Sequence, residues 1–215
     1  MQILIADDHE LVRQGLRTVL ESQPGWKVCG EAVNGRQAVD LARELRPDVI
    51  VLDVTMPELN GLEATRQIRK ANPKAEVLIL TMHESEQLVG EVLAAGARGY
   101  VLKSDTSRLL VSAIQSLAQH QPFFTGKVSE VVLNGYLKPG EVRNGADKIP
   151  ARLTAREREV VQLLAEGKSS KEVAVALGVS VRTVDAHRAN VMHKLRLHSV
   201  TDLVHYAIRN QIIAV

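Results

Sequence analysis

Five short apolar runs punctuate the first 120 residues: Ile3–Ala6, Lys27–Gly30, Val49–Leu52, Val77–Leu80 and Gly99–Leu102. They are rich in Val, Ile and Leu and show no polar alternation, which predicts strands buried on both faces. The intervening stretches are amphipathic. Leu11, Leu16, Val19 and Leu20, then Ala38, Leu41 and Leu45, then Leu62, Thr65 and Ile68 recur at helical spacing. Pro24-Gly25, Arg46-Pro47 and Asn72-Pro73 end these helices, because proline cannot continue a helix and restricts the residue before it. Residues 105–120 supply the last helix. Five β–α units in succession call for a parallel sheet between layers of helices.

Beyond residue 120 the pattern changes. Gly126 to Leu137 predicts one more helix, with Val128, Val131, Val132 and Tyr136 on one side, and the polar, turn-rich Lys138–Asp147 reads as a linker. From Leu153 the pattern is wholly helical. Thr154 and Glu157 form a capping box, Val160, Leu163 and Leu164 a buried stripe, and Gly167 a stop. A second helix runs from about Ser170 to Leu177 and closes at Gly178. Ser180 opens a third that carries Val184, Val191 and Leu195 inward, and Thr201 to Ile212 forms a fourth. The expected layout is a domain over 1–120, a linker over 121–148 and a small all-α domain over 149–215.

Charge separates the two halves. Over residues 1–121, 13 basic against 16 acidic residues give −3, whereas over 149–215, 10 against 6 give +4, and the segment between carries +1. A basic second half suits a polyanionic partner, although +4 on 67 residues is also ordinary for a surface. Cys29 is the only cysteine, which excludes an intramolecular disulfide and a multi-cysteine metal cluster. It lies in the apolar run Trp26–Cys29 and is expected in the core. No apolar run approaches the roughly 20 residues of a membrane helix, and Met1 leads directly into a strand with no basic leader. A cytoplasmic location is expected.

Chemistry gathers at the strand ends. Asp7 and Asp8 end the first strand, Asp53 the third, Thr81 the fourth and Lys103 the fifth. In an open parallel sheet, ligands bind outside the carboxyl ends of the strands. Carboxylates crowded there repel one another, and a hard divalent cation with oxygen ligands, Mg²⁺ above all, relieves the repulsion. One carboxylate then attacks a phosphoryl group while Lys103 neutralises transferred oxygens and the Thr81 hydroxyl donates a hydrogen bond. The competing reading makes Asp7 or Asp8 a helix cap and Asp53 a turn residue, and leaves Lys103 and Thr81 unexplained.

The segments Ala6-Asp7-Asp8-His9, Asp53-Val54-Thr55-Met56-Pro57-Glu58-Leu59-Asn60-Gly61, Leu80-Thr81-Met82 and Gly99-Tyr100-Val101-Leu102-Lys103 resemble the receiver domains of bacterial two-component response regulators. The resemblance implies a flavodoxin-like α/β fold, a five-stranded, doubly wound parallel sheet in the order 2-1-3-4-5. It implies Asp53 as phospho-acceptor, and Asp8, Asp53 and the Thr55 backbone carbonyl as Mg²⁺ ligands, with Asp7 acting largely through water. It also implies Thr81 and Tyr100 as a switch pair, the ring turning inward as the hydroxyl moves to the phosphoryl group. The partner would be a sensor histidine kinase.

Ser170–Leu177, the turn at Gly178 and the helix opened by Ser180 make a helix-turn-helix. Leu153–Val160, Gly167–Ala174 and Ser180–Val191 are similar to the LuxR-type domain of the NarL/FixJ response regulators. With Val184, Val191 and Leu195 inward, helical geometry puts Arg182, Ala186, Ala189, Asn190 and His193 outward, with Thr183 and Asp185 on the flanks. The resemblance implies base reading at Asp185, Ala186 and Ala189. An acid and two alanines make direct readout thin, so phosphate contacts by Lys171, Arg182 and Lys194 are expected to carry much of the affinity. His187, beside the apolar stripe, is expected to be a hydrogen-bonded core residue. The apolar stripe of the last helix suits the closing of a small domain; the resemblance implies instead that it is partly a dimer surface, which would make the operator a two-fold repeat.

Other motifs fail. Gly30–Gly35 has Walker-like glycine spacing, but Arg36-Gln37 stands where Lys-Ser/Thr is required. His9-Glu10 and His83-Glu84 lack the second histidine of a zinc-protease helix. An Asp-nucleophile phosphatase usually places a second acid two residues after the nucleophile, and here that residue is Thr55. The chain therefore reads as a phosphorylation-switched transcription regulator and not as an enzyme, at most transferring phosphate to and from itself. The alternative is a receiver used as a protein-interaction module with little specific DNA binding.

Overall fold

The computed structural model describes residues 1–82, 85–125 and 153–213, the side chains of residues 86 and 87 excepted. The chain forms two compact units. The N-terminal unit runs β1 (Gln2–Ala6), α1 (Glu10–Glu21), β2 (Lys27–Ala32), α2 (Gly35–Leu45), β3 (Val49–Asp53), α3 (Gly61–Ala71), β4 (Glu76–Thr81), α4 (Glu86–Ala95), β5 (Gly99–Leu102), a 3₁₀ turn (Lys103–Asp105), α5 (Thr106–Ala118) and β6 (Phe123–Phe124). Every pairing in the sheet is parallel, and the strand order is β2-β1-β3-β4-β5-β6.

Strand alternation divides the core into two layers. Ile3, Ile5, Val49, Val51, Leu78, Leu80 and Val101 pack with Leu16 and Leu20 of α1 and with Leu110, Ala113, Ile114 and Leu117 of α5. The intervening Leu4, Ile50, Leu52, Ile79 and Tyr100 are equally buried. On that side β2 comes close under α2: a Cβ on Gly30 would stand 2.7 Å from a Leu45 methyl and 3.2 Å from a Leu4 methyl. The sheet is thus buried on both faces, as its unbroken apolar runs require.

Three details differ from the sequence reading. A sixth strand extends the expected five; its two residues, Phe123 and Phe124, are too few to carry a period. Leu11 is 82% exposed, because it lies five positions before Leu16, about 140° round the helix; Val12 and Val19 pack beside Leu16 and Leu20 instead. Cys29 is only half-buried, its Sγ set 3.3 Å from the Ile3 carbonyl. The expected helix over 126–137 and linker over 138–147 lie outside the described residues.

The C-terminal unit is formed by α6 (Ala155–Ala165), α7 (Ser170–Leu177), α8 (Val181–Leu195) and α9 (Val200–Arg209). Its termini are heavily capped. Thr154 with Glu157, Ser169 with Glu172 and Ser199 with Asp202 each form a reciprocal box, and the Ser180 side chain accepts from the Thr183 amide. Gly178 closes α7 at φ 63, a left-handed position that costs glycine nothing. Val160, Leu163, Leu164, Val173, Leu177, Val184, Val191, Leu203 and Ala207 meet in one core.

Candidate functional site

The register of the sheet brings the acidic residues to one edge. Ala6 pairs with Leu52 and Asp53 with Leu80, so the chain leaves β1, β3 and β4 at nearly the same level. Asp7 and Asp8 follow β1, and His9, not either aspartate, occupies the N-cap of α1. The Asp7 carboxylate is 1% exposed. Its Oδ1 accepts the His9 amide at 2.9 Å, and its carbonyl accepts from Arg13 Nη1 at 2.8 Å. Arg13 is held in turn by Glu31 at 3.2 Å, which also binds Arg17 at 2.6 Å.

Lys103 joins the strands. Its Nζ lies 2.7 Å from Asp7 Oδ2 and 3.1 Å from Asp53 Oδ2. One ammonium thus serves two carboxylates that are almost wholly buried. Burial, aided by the negative charges of Asp7 and Asp8, outweighs the pull of Lys103 and raises the Asp53 carboxyl to about 6. Burial works against the Lys103 ammonium, but Asp53 and Asp7 outweigh it and raise its pKa. The other Asp53 oxygen, Oδ1, is buried without a hydrogen-bond partner among the described residues.

Asp7, Asp8 and His9 offer ligand atoms within 4.8 Å of one another. Asp53 adjoins this group through Lys103. Thr81 and Tyr100 are buried at 2% and 0% exposure, and Thr55 is half-buried in the turn after β3. That turn is shaped by Gly61, whose amide donates to the Val54 carbonyl at 2.8 Å. A Cβ there would lie 1.9 Å from the Asp53 carbonyl oxygen, so only glycine fits against Asp53. His83 lies outside the described residues. Sequence reasoning gave no role to His9, Arg13 or Gly61. His9 and Gly61 stand within the quoted motifs, while Arg13 is a polar residue on α1 with no pattern of its own.

In the helix-turn-helix, Lys171, Arg182, Asp185, Ala186, Ala189 and Asn190 are exposed, as the helical geometry requires. Thr183 is half-buried, with its hydroxyl 2.8 Å from Ser180 Oγ. Lys194 is also engaged within its own domain. Its Nζ is 2.8 Å from Glu157 Oε2, which also accepts the Thr154 amide at 2.7 Å. Burial raises the Glu157 carboxyl, but the Lys194 ammonium and the Thr154 hydrogen bonds hold it below its ordinary value. His187 is half-buried rather than in the core.

Residues 3–115 match the response regulator receiver domain, and residues 151–207 match the bacterial regulatory proteins of the luxR family. The chain belongs to the two-component response regulators. Its domain pair is that of the NarL/FixJ branch. This response regulator is 36% identical to the oxygen regulatory protein NreC of Staphylococcus epidermidis and 37% identical to the transcriptional regulatory protein LiaR of Bacillus subtilis, with 99% of each chain covered in both cases. Among solved structures it is similar to RcsB of Salmonella enterica serovar Typhimurium bound to promoter rprA in the presence of phosphomimetic BeF3⁻. That match has a TM-score of 0.61 at 25% identity and covers 96% of this regulator and 97% of RcsB. The receiver of the regulator carries its acidic cluster at the sheet edge, and its C-terminal domain is a DNA-binding helix-turn-helix of the LuxR type. Among the described residues, no helix is long and apolar enough to cross a membrane.

Proposed function

We propose that phosphorylation of Asp53 switches this regulator between states of different DNA affinity. The observation that carries the reading is the Asp7–Lys103–Asp53 bridge, a buried ion pair with a surplus carboxylate. A purely structural pair needs one acid. Here the second acid retains an unpartnered buried oxygen, and leaving such a group unmatched costs about 1–3 kcal/mol. A divalent cation and an incoming phosphoryl group both supply what that oxygen lacks.

The donors suit Mg²⁺, which takes oxygen ligands and keeps part of its water shell. Asp8, Asp53 and the Thr55 carbonyl would hold it, with Asp7 acting through water. When bound, the ion supplies positive charge to the transferred phosphoryl oxygens. The remaining work belongs to side chains. An Asp53 oxygen forms the new bond to phosphorus as the donor's bond to phosphorus breaks and its leaving group departs with the electron pair. Asp53 acts as the carboxylate, and a bound cation would hold it in that form against the burial that raises its pKa in the metal-free site. Lys103, already beside Asp53, neutralises a phosphoryl oxygen, and the Thr81 hydroxyl donates to another. Tyr100 is fully buried on β5 beside β4, and with Thr81 it would report the phosphoryl group to the β4–β5 side of the receiver.

The physiological donor is a sensor histidine kinase, and the regulator works in the cytoplasm as a homodimer on a two-fold repeat operator. Domain limits at 1–120 and 149–215, with a connecting segment between them, separate the switch from its output. The exposed face of α8 lies in the major groove. Lys171 and Arg182 meet phosphates, while Thr183, Asp185, Ala186, Ala189 and Asn190 line the base edges; Lys194 supports the domain through Glu157. Acetyl phosphate with Mg²⁺ should label the wild type with one phosphoryl group, located at Asp53 by mass spectrometry, and should leave Asp53→Asn unlabelled. Equal labelling of the variant would refute the assignment.

A further inference from the structure

Every polar group of Asp7 has a neighbour that restrains it. Its amide donates to the Ala32 carbonyl at 3.2 Å, its Oδ1 accepts the His9 amide, and its Oδ2 lies beside Lys103 Nζ. The fourth group, the Asp7 carbonyl, accepts from Arg13 Nη1 at 2.8 Å. That carbonyl belongs to the peptide leading into Asp8. A peptide unit is planar, so fixing its carbonyl fixes the direction in which the Asp8 Cα departs. The Asp8 carboxylate, 34% exposed, is paired with a His9 ring that is itself 68% exposed. Asp8 therefore takes its direction from the backbone beneath it.

Arg13 extends from α1 and is only 12% exposed. Its charge is met by Glu31 of β2, whose Oε2 lies 3.2 Å from Arg13 Nε. Glu31 Oε1 takes Arg17 at 2.6 Å, and Arg17 holds Glu21 at 2.9 Å. Two guanidiniums and two carboxylates thus form a chain without net charge, and Arg13 is the member that reaches Asp7. Its planar fork divides the work. One N–H orients a neutral carbonyl, while another is tied to Glu31. The acids at the sheet edge are oriented without being neutralised, so their negative charge stays available.

We propose that Arg13 is a positioning residue for phosphorylation of Asp53, and that Glu31 restrains its charge from the carboxylates of Asp7 and Asp8. Without Glu31, the guanidinium is left to pair with the acids that its carbonyl contact already brings it beside. The inference rests on Asp53 as the acceptor and on Asp8 as part of the Mg²⁺ site.

Full-length wild type, Arg13→Gln, Glu31→Gln and the double variant are compared by acetyl phosphate labelling and by calorimetric titration with Mg²⁺. Trp26, packed on the receiver core, reports by its fluorescence that each is folded under the assay conditions. Arg13→Gln should label at least about fivefold more slowly than wild type, and saturating Mg²⁺ should not restore the rate, because small misplacements of reacting groups are costly. Glu31→Gln keeps an oxygen for Arg13 to bond but not the charge. It should bind Mg²⁺ at least about fivefold more weakly at low salt, and saturating Mg²⁺ should restore its labelling. The double variant should bind Mg²⁺ as Arg13→Gln does, since the charge to be restrained has gone. A smaller loss of rate in Arg13→Gln, or its recovery at saturating Mg²⁺, would overturn the positioning role. Mg²⁺ affinity that Glu31→Gln leaves unchanged, or lowers equally with and without Arg13, would overturn the restraint. Wild type that takes no phosphate from acetyl phosphate would instead sink the reading of Asp53 on which both rest.

Discussion

Replacing Lys103 by methionine should destabilise the receiver in a pH-dependent way. The ammonium contacts two carboxylates that are 1% and 3% exposed, and is itself 12% exposed. Its loss leaves two buried anions facing each other. Breaking a buried pair by removing one partner typically costs about 3–5 kcal/mol. The lower end applies here, because methionine fills the volume and Asp53 escapes by taking up a proton. In the wild type, Asp53 titrates near 6, above its ordinary 3.8. A carboxyl whose folded pKa is raised binds more protons folded than unfolded, so metal-free wild type gains stability as pH falls from about 6 towards 3.8. Without Lys103 that value moves higher still, and the gain begins at a higher pH. Lys103, with its pKa raised above the ordinary 10.5, loses its charge only as pH rises through its folded value, so between pH 5 and 8 it stays protonated and the pH dependence comes from Asp53 alone. The deficit of Lys103→Met should therefore be about 3 kcal/mol at pH 8 and distinctly smaller at pH 5. Trp26, the single tryptophan, packs against the receiver core and gives a fluorescence signal for this domain alone. At an m-value of roughly 1.5 kcal/mol/M, the urea midpoint at pH 8 should fall by about 2 M. A deficit of equal size at both pH values, or none, would refute the argument.

Three further outcomes follow from the same geometry. Mg²⁺ at 100 times its dissociation constant should stabilise the wild-type receiver by about 2.7 kcal/mol and give Asp8→Asn no such gain, a difference readable in Trp26 unfolding curves with and without chelator. Gly61→Ala forces a Cβ into the Asp53 carbonyl; it should cost about 2 kcal/mol or more and slow acetyl phosphate labelling, whereas labelling at the wild-type rate would show that the turn does not position the acceptor. Arg182→Gln and Lys171→Gln should each lower the slope of log affinity for DNA against log salt by about 1. Lys194→Gln should leave that slope unchanged and instead lower the stability of the C-terminal domain, since its ammonium is paired with Glu157.

How much of this was legible beforehand depends on the range of the interaction. The five long strands and the helices between them announce themselves through local periodicity, as do the Thr154 box and the glycine stops. The acidic edge was legible because a parallel sheet sends every strand end to the same side, so Asp7, Asp53, Thr81 and Lys103 had to reach one edge whatever the packing details. Phe123 and Phe124 were missed because two residues have no period; they join the sheet through the Arg98 carbonyl and the register of β5. Leu11 was misplaced because an apolar residue near a stripe need not belong to it. Lys194 was read as a phosphate contact from its position on α8 alone; its partner stands 37 residues earlier, at the N-terminus of α6. The grip of Arg13 on the Asp7 carbonyl and the close approach of the Gly61 backbone to that of Asp53 are backbone approaches, which side-chain patterns do not encode.

The claim on which the account turns is that one phosphoryl group at Asp53 changes DNA affinity. The most direct measurement is the binding of full-length protein to a genomic fragment captured with the phosphorylated form, at fixed salt, with and without acetyl phosphate and Mg²⁺. The account predicts tenfold or greater tightening for wild type, and for Asp53→Asn a single affinity under both conditions. Wild type whose affinity is the same whether or not Asp53 carries phosphate would contradict it.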